Sequence, residues 1–185
     1  MELLQVIKGR RAIRKYKPTP VKDEDLNAIL EATRWAPSWR NNQCWRFIVV
    51  RDPEVRGRLA ETLPETMKVR AAIKEEAPVV IVACAELGKS GYSKEGQLAT
   101  NKGDSWYMFD TALAAQNMVL MAYSLGLGTV HVGHFDAEKA AKVLELPENV
   151  VAVEMIPLGY ADETPEVRQR KELSEIVFYD KYGRR

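Results

Sequence analysis

Apolar residues along the chain fall into two rhythms, one of helices and one of strands. ELLQVIKG sets Leu3, Leu4 and Ile7 on one helical face and stops at Gly9. DEDLNAILEATRWA repeats Leu26, Ile29, Leu30 and Thr33 at helical spacing, carries acids in its first turn, and is ended by Pro37. Residues 54–76 predict two short charged helices. WYMFDTALAAQNMVLMAYSLG predicts a long helix, apolar almost all round, central to a core or to a subunit interface. DAEKAAKVLEL predicts a helix capped by Asp136.

Between these lie β-branched runs. WRFIVV predicts a strand followed by the turn RDPE, and PVVIVACAE predicts a strand buried on both faces. GLGTVHVGHF predicts a turn and then a strand, and NVVAVEMIPLGY predicts another strand. Segment 87–104 is rich in Gly, Ser, Lys, Thr and Asn without periodicity, as expected of a lid or a mobile loop. The polar, basic tail from Ala161 holds an apolar cluster, Ile176 to Tyr179, which predicts that the tail docks, on its own chain or on another subunit. Elements interspersed without regular βα alternation predict an α+β sandwich, a mostly antiparallel sheet flanked by helices around a long central helix. The 185 residues suit one domain, 1–185, and show no repeat or linker.

Charge changes the picture locally. Lys and Arg total 27 against 26 Asp and Glu, a formal net charge of +1, yet KGRRAIRKYK (8–17) holds six positive residues in ten positions. A balanced total argues against a general nucleic-acid binder and favours a discrete phosphate site, although a polyanion track stays open. Two cysteines without CxxC spacing predict no disulfide framework. The N-terminus lacks a signal peptide's basic and apolar regions, and the apolar stretch near 106–130 is too polar to cross a membrane, so the chain reads as cytoplasmic and soluble.

GxGxxG, a P-loop and GxSxG are all absent. His131 and His134, three apart in an expected strand, would face opposite ways, so no metal site is expected. Cys44 has no marked base beside it and reads as a structural thiol. Arg10, Arg11 and Arg14 lie between a helix and proline-bounded extended chain, while Arg168 and Arg170, two apart, lie far away in the tail. Guanidinium groups offer planar donor forks to phosphate oxygens, so two such segments converging would make a tight dianion site; singly, each is a surface charge. In APSWRNNQCW (36–45), Asn41, Asn42 and Gln43 either form an ordinary polar turn or read a ring with alternating N–H and C=O groups.

These pieces, taken in order, resemble the nitroreductase family of FMN-dependent oxidoreductases. RRAIR (10–14) is similar to its opening Arg-Arg-Ser-(Ile/Val)-Arg, and APSWRNNQCW to Ala-Pro-Ser-x-x-Asn-x-Gln-Pro-Trp. SLGLGT, HVGHF and IPLGYADETPEVRQRKELSEIV follow at fitting spacings. The resemblance implies a homodimer with two FMN molecules at its interface and a C-terminal tail reaching the partner. It implies that Arg10, Arg168 and Arg170 hold the phosphate, that Arg11 and Ala12 run along the ribityl chain and ring edge, and that Arg14 approaches the pyrimidine end. Pro37, Ser38 and Asn41 would come from the partner, and the backbone at His131, Val132 and Gly133 would pass beside the ring. It further implies NADH or NADPH as hydride donor, flavin N5 rather than a side chain as the reacting centre, and a small-molecule acceptor. A non-catalytic FMN carrier or a specialised family chemistry stays open. Four departures stand out. Ala12 replaces serine, Cys44 stands where proline is common, and Trp39 and Arg40 replace small residues, either shaping the substrate pocket or forming an exposed loop.

Overall fold

The computed structural model describes residues 2–185. Four strands, β1 (Trp45–Val50), β2 (Val79–Glu86), β3 (Gly128–Thr129) and β4 (Val150–Gly159), pair antiparallel in the order β1-β2-β4-β3. The helices are α1 (Leu3–Gly9), α2 (Asp23–Arg34), α3 (Pro53–Ala60), α4 (Val69–Ala71, continuing as a π-turn over Ala72–Glu76), α5 (Trp106–Ser124), α6 (Ala137–Val143) and α7 (Leu173–Ile176). This is the expected α+β fold with a mostly antiparallel sheet and a long helix.

The sheet is a central layer, and the packing of β2 shows why its sequence is apolar from Val79 to Ala85. Val79 and Ile81 pack with Ile29 of α2 and Met118 and Val119 of α5 on one face. Val80, Val82 and Cys84 pack with Leu59 of α3 and Ile73 on the other. Side chains alternate across the pleat, so a strand covered on both sides needs hydrophobic residues at every position. Full burial of each large one contributes about 1.5–3 kcal/mol relative to exposure. The buried face of helix α5 mixes small residues, Thr111, Ala114, Ala115 and Ala122, with the larger Met118 and Val119.

Helix ends follow local chemistry. Asp52 caps α3, its Oδ1 accepting from the N–H groups of Glu54 (2.8 Å) and Val55 (3.0 Å). Asp136 caps α6 by accepting from the N–H of Lys139. Helix α2 has no side-chain cap; Asp23, Glu24 and Asp25 in its first turn serve the positive end of its dipole instead.

One expected strand is largely missing. Only Gly128–Thr129 forms β3, and the chain rejoins the sheet at an isolated bridge between Val132 and Met155. Thr129 lies opposite Leu158, so the same register puts Val130 opposite Pro157, which has no N–H to give. The ladder breaks there, and His131 and His134 therefore do not alternate along a strand. The Nδ1 of His131 instead sits 2.7 Å from Oε2 of Glu154.

Segment 87–104 folds as a small turn-rich excursion. Tyr92 and Leu98 bridge antiparallel, and the N–H of Ala99 reaches the carbonyl of Gly91 at 2.8 Å. Gly91 has φ +83°, and an added Cβ there would meet the Trp106 Cβ at 2.8 Å, so this turn needs glycine. Among the described residues no helix is long and apolar enough to cross a membrane.

Candidate functional site

The basic segment runs as extended chain along the β3 edge. Ala12 bridges Thr129 in parallel, and the N–H of Ile13 donates to the Thr129 carbonyl at 2.9 Å. Ile13 and Tyr16 point into the core; the Tyr16 hydroxyl donates to the Ile13 carbonyl at 2.6 Å. Anchoring those two apolar residues turns Arg14 outward. Behind Ile13, Gly128 leaves the room required: a Cβ there would stand 2.7 Å from the Ile13 Cγ1.

Arg10, Arg11, Ala12 and Arg14 line one cavity together with residues 165–170, including Arg168 and Arg170. Its volume is about 640 Å³. Segments more than 150 residues apart in sequence thus bring five arginines together. Among the described residues none of the five has a carboxylate within ion-pair distance. Burial, then the neighbouring charges of Arg11 and Arg170, pushes the Arg10 pKa down. The cluster is therefore short of negative charge, a good fit to a phosphate dianion.

The arginines are not equivalent. Arg11 donates to the carbonyls of Lys8 (2.6 Å) and Arg10 (2.8 Å), closing the C-terminal end of α1, whose dipole favours a cation. Arg170 donates to the Arg168 carbonyl at 2.9 Å. The backbone N–H of Arg14 donates to Glu163, which pins the extended segment to the chain after β4. Sequence reasoning missed Glu163, as well as Pro165, Glu166 and Gln169 on the cavity wall, because nothing in their spacing marks them. A second cavity of about 240 Å³, lined by Arg11, Ile13, Tyr123, Gly126 and Leu127, opens beside the first and shares Arg11 and Pro165 with it.

The other expected contact residues stand elsewhere in the protomer. The 36–45 loop is held at the N-terminal end of α5, where the N–H of Trp39 donates to Asp110 Oδ2 at 2.9 Å. Tyr123, near the opposite end of α5, lines the second cavity. At 1.5 Å per residue the two points are about 20 Å apart along the helix. Pro37, Ser38, Trp39, Arg40 and Asn41 do not line the arginine cavity of their own chain. His131 and Gly133 are exposed, Val132 is buried, and a Cβ on Gly133 would meet no atom within 4 Å.

The loop is tightly built. Ser38 Oγ accepts from the Gln43 N–H (2.9 Å), and Asn41 Oδ1 from Gln43 Nε2 (3.0 Å). Arg40, Asn41 and Gln43 all have left-handed φ, between 48° and 57°. Trp39 is half-buried rather than free in solvent, its ring edge-on to Trp106 at 5.0 Å, and Arg40 lies over it at 5.9 Å. Burial pushes both thiols up, Cys84 to about 11, and Asp110 adds to the rise at Cys44, so neither is a thiolate at neutral pH.

Apolar side chains are also left exposed: Leu3, Leu4 and Ile7 on α1, Phe109 (57% exposed) on α5, and Leu173, Ile176 and Tyr179 in the tail.

Comparison with known proteins bears directly on this arrangement. The chain matches the family model described as the nitroreductase family over residues 7–72 and 62–160. It is 31% identical over 193 residues to the NADH dehydrogenase of Thermus thermophilus, covering 92% of each chain. Among solved structures, a nitroreductase family protein from Clostridium difficile superposes with TM-score 0.83 at 27% identity, covering 98% of this chain and 99% of that one. An FMN-dependent nitroreductase from the same species superposes with TM-score 0.78 at 28% identity, covering 96% and 99%.

Proposed function

This chain belongs to the nitroreductase family, and from that premise we propose that it is an FMN-dependent oxidoreductase that uses NADH or NADPH, with residues 1–185 forming one cofactor-binding unit. The observation that carries the reading is the arginine cavity: cations from two remote segments around one pocket, none of them in an ion pair among the described residues. A local cluster of cations around one cavity suits one phosphate group better than the length of a nucleic-acid backbone, which calls for a basic stripe.

Arg10, Arg168 and Arg170 hold the cofactor phosphate. Arg11 and the backbone at Ala12 line the path toward the ring; the serine hydroxyl usual in the family is absent, so backbone groups carry that contact. Arg14 brings positive charge toward the far end of the cofactor and favours its taking on negative charge. When bound, FMN would supply the redox chemistry, hydride uptake from NADH or NADPH and electron transfer to an acceptor such as a nitroaromatic or a quinone, in a ping-pong cycle. The protein orients the cofactor and supplies electrostatics; no side chain is assigned as acid or base.

Pro37, Ser38 and Asn41 complete the site from a second copy. A two-fold dimer with α5 helices crossing antiparallel carries one protomer's 36–45 loop toward the other's arginine cavity, which the 20 Å separation within one chain otherwise prevents. The exposed apolar residues of α1, α5 and the tail support that pairing. Trp39 and Arg40 then stand at the mouth of the substrate pocket, and the backbone at His131, Val132 and Gly133 passes beside the ring.

The test is a visible spectrum of the protein purified without added cofactor and then loaded with FMN, followed by anaerobic NADH or NADPH. A yellow protein bleached by either nucleotide is expected. Bound FMN that neither nucleotide bleaches would indicate a carrier, and a protein that takes up no FMN would overturn the reading.

A further inference from the structure

Asp110 is the only charged residue in the 19-residue helix α5 and is 1% exposed. Removing a carboxylate from water is costly unless donors compensate. Here two donors meet one oxygen: the backbone N–H of Trp39 and the hydroxyl of Ser90 both reach Oδ2. The same two segments are joined by two more bonds. The indole N–H of Trp39 donates to the Tyr92 carbonyl (3.2 Å), and the Asn42 amide to the Lys89 carbonyl (2.8 Å). Asp110 is thus the buried centre of a clip between the 36–45 loop and segment 87–104.

That loop needs a clip. Three non-glycine residues in four positions hold left-handed φ, each at a cost of roughly 1–2 kcal/mol for residues other than Asn and Asp. A loop so strained keeps its shape only when its surroundings impose it.

We infer that Asp110 is a positioning residue: it fixes the Pro37–Asn41 loop in the form that meets FMN across the dimer interface and couples that form to segment 87–104, whose Tyr92 carbonyl holds the Trp39 indole at the mouth of the proposed substrate pocket. The inference rests on the proposed reading of that loop as a flavin contact. Acceptor affinity and FMN affinity should then share a determinant that touches neither ligand.

Because both donors converge on a single oxygen, Asp110→Asn can keep both bonds with its amide oxygen, whereas Asp110→Leu keeps neither. Ser90→Ala releases only the 87–104 side. FMN affinity is read by quenching of flavin fluorescence in the apoprotein, KM with 1,4-benzoquinone, and the amide exchange of Trp39 directly. Asp110→Leu should weaken FMN about tenfold, the ratio that 1.4 kcal/mol represents, and speed Trp39 exchange. Asp110→Asn should stay within about threefold on both counts, and Ser90→Ala should raise the quinone KM with FMN affinity nearly unchanged. Normally folded Asp110→Leu with wild-type FMN affinity, quinone KM and exchange would overturn the inference, as would Asp110→Asn failing as badly as Asp110→Leu. Should Asp110→Leu not fold, an unchanged quinone KM in Ser90→Ala overturns it. A wild-type protein that takes up no FMN is a failure of the cofactor reading, and Trp39 exchange still decides whether Asp110 holds the loop.

Discussion

Replacing Arg10 by glutamine is expected to stabilise the cofactor-free protein and yet weaken its grip on FMN. In the apoprotein the Arg10 guanidinium is partly buried beside Arg11 and Arg170, and its pKa is pushed down by burial first and by those two charges next. No carboxylate among the described residues stands within ion-pair distance to offset this. Partly exposed pairs of this kind are worth a few tenths of a kcal/mol each, so losing the charge gains about 0.5 kcal/mol. In a chain of this size that is a rise in Tm of roughly 1–2 °C. With FMN bound the sign reverses, because a charge-assisted hydrogen bond to phosphate, about 1.5–3 kcal/mol, is lost. Kd then rises roughly 10- to 150-fold. At FMN 100 times the wild-type Kd, the ligand stabilises wild type by about 2.7 kcal/mol and the variant by only about 0.3–1.4 kcal/mol. Thermal unfolding by circular dichroism with and without FMN measures both effects, and a fluorescence titration measures Kd independently. Added salt should raise the wild-type apo Tm more than that of the variant, since screening relieves the same repulsion. An apo Tm that falls in Arg10→Gln, with an unchanged FMN-induced rise, would refute the account of an uncompensated cationic site.

Two further outcomes follow from the anchoring of the same segment. Burial pushes the Tyr16 phenol well above its usual range, so the folded state keeps a proton that the unfolded chain loses above about pH 10; stability is whole below that pH and falls above it, by up to about 1.4 kcal/mol per pH unit. Tyr16→Phe should remove that alkaline slope while costing roughly 1–2 kcal/mol at pH 7, because the Ile13 carbonyl loses its 2.6 Å donor; urea midpoints from pH 8 to 11 test both. Gly128→Ala sets a Cβ 2.7 Å from Ile13 Cγ1 and 2.9 Å from its Cβ; it should cost about 1–3 kcal/mol and weaken FMN by displacing Ala12 and Arg14, and a wild-type Tm by calorimetry would mean that Ile13 moves aside freely.

What the sequence determined by itself was mostly local. Periodicity marks α2 and α5, the acids of α2 and the Asp136 cap of α6 mark where helices begin, and the nearly continuous β-branched run of β2 announces a strand covered on both faces. These features depend on neighbours a few residues away, and they are legible for that reason. The order of motifs from RRAIR to the tail also carried the family. The shortening of β3 was legible in principle, since its cause is Pro157, but that proline sits 27 residues after Val130 and matters only through register. The meeting of Arg10 with Arg168 and Arg170 was decided by the tertiary structure, because it requires Ile13 to seat on Gly128 and Glu163 to fasten the chain beyond β4. Asp110 shows the same limit most sharply. In the sequence it is one acid interrupting an apolar helix, and only folding brings the Trp39 N–H and the Ser90 hydroxyl to the same oxygen. A buried charge is defined by the donors around it, and those donors come from segments 71 and 20 residues away.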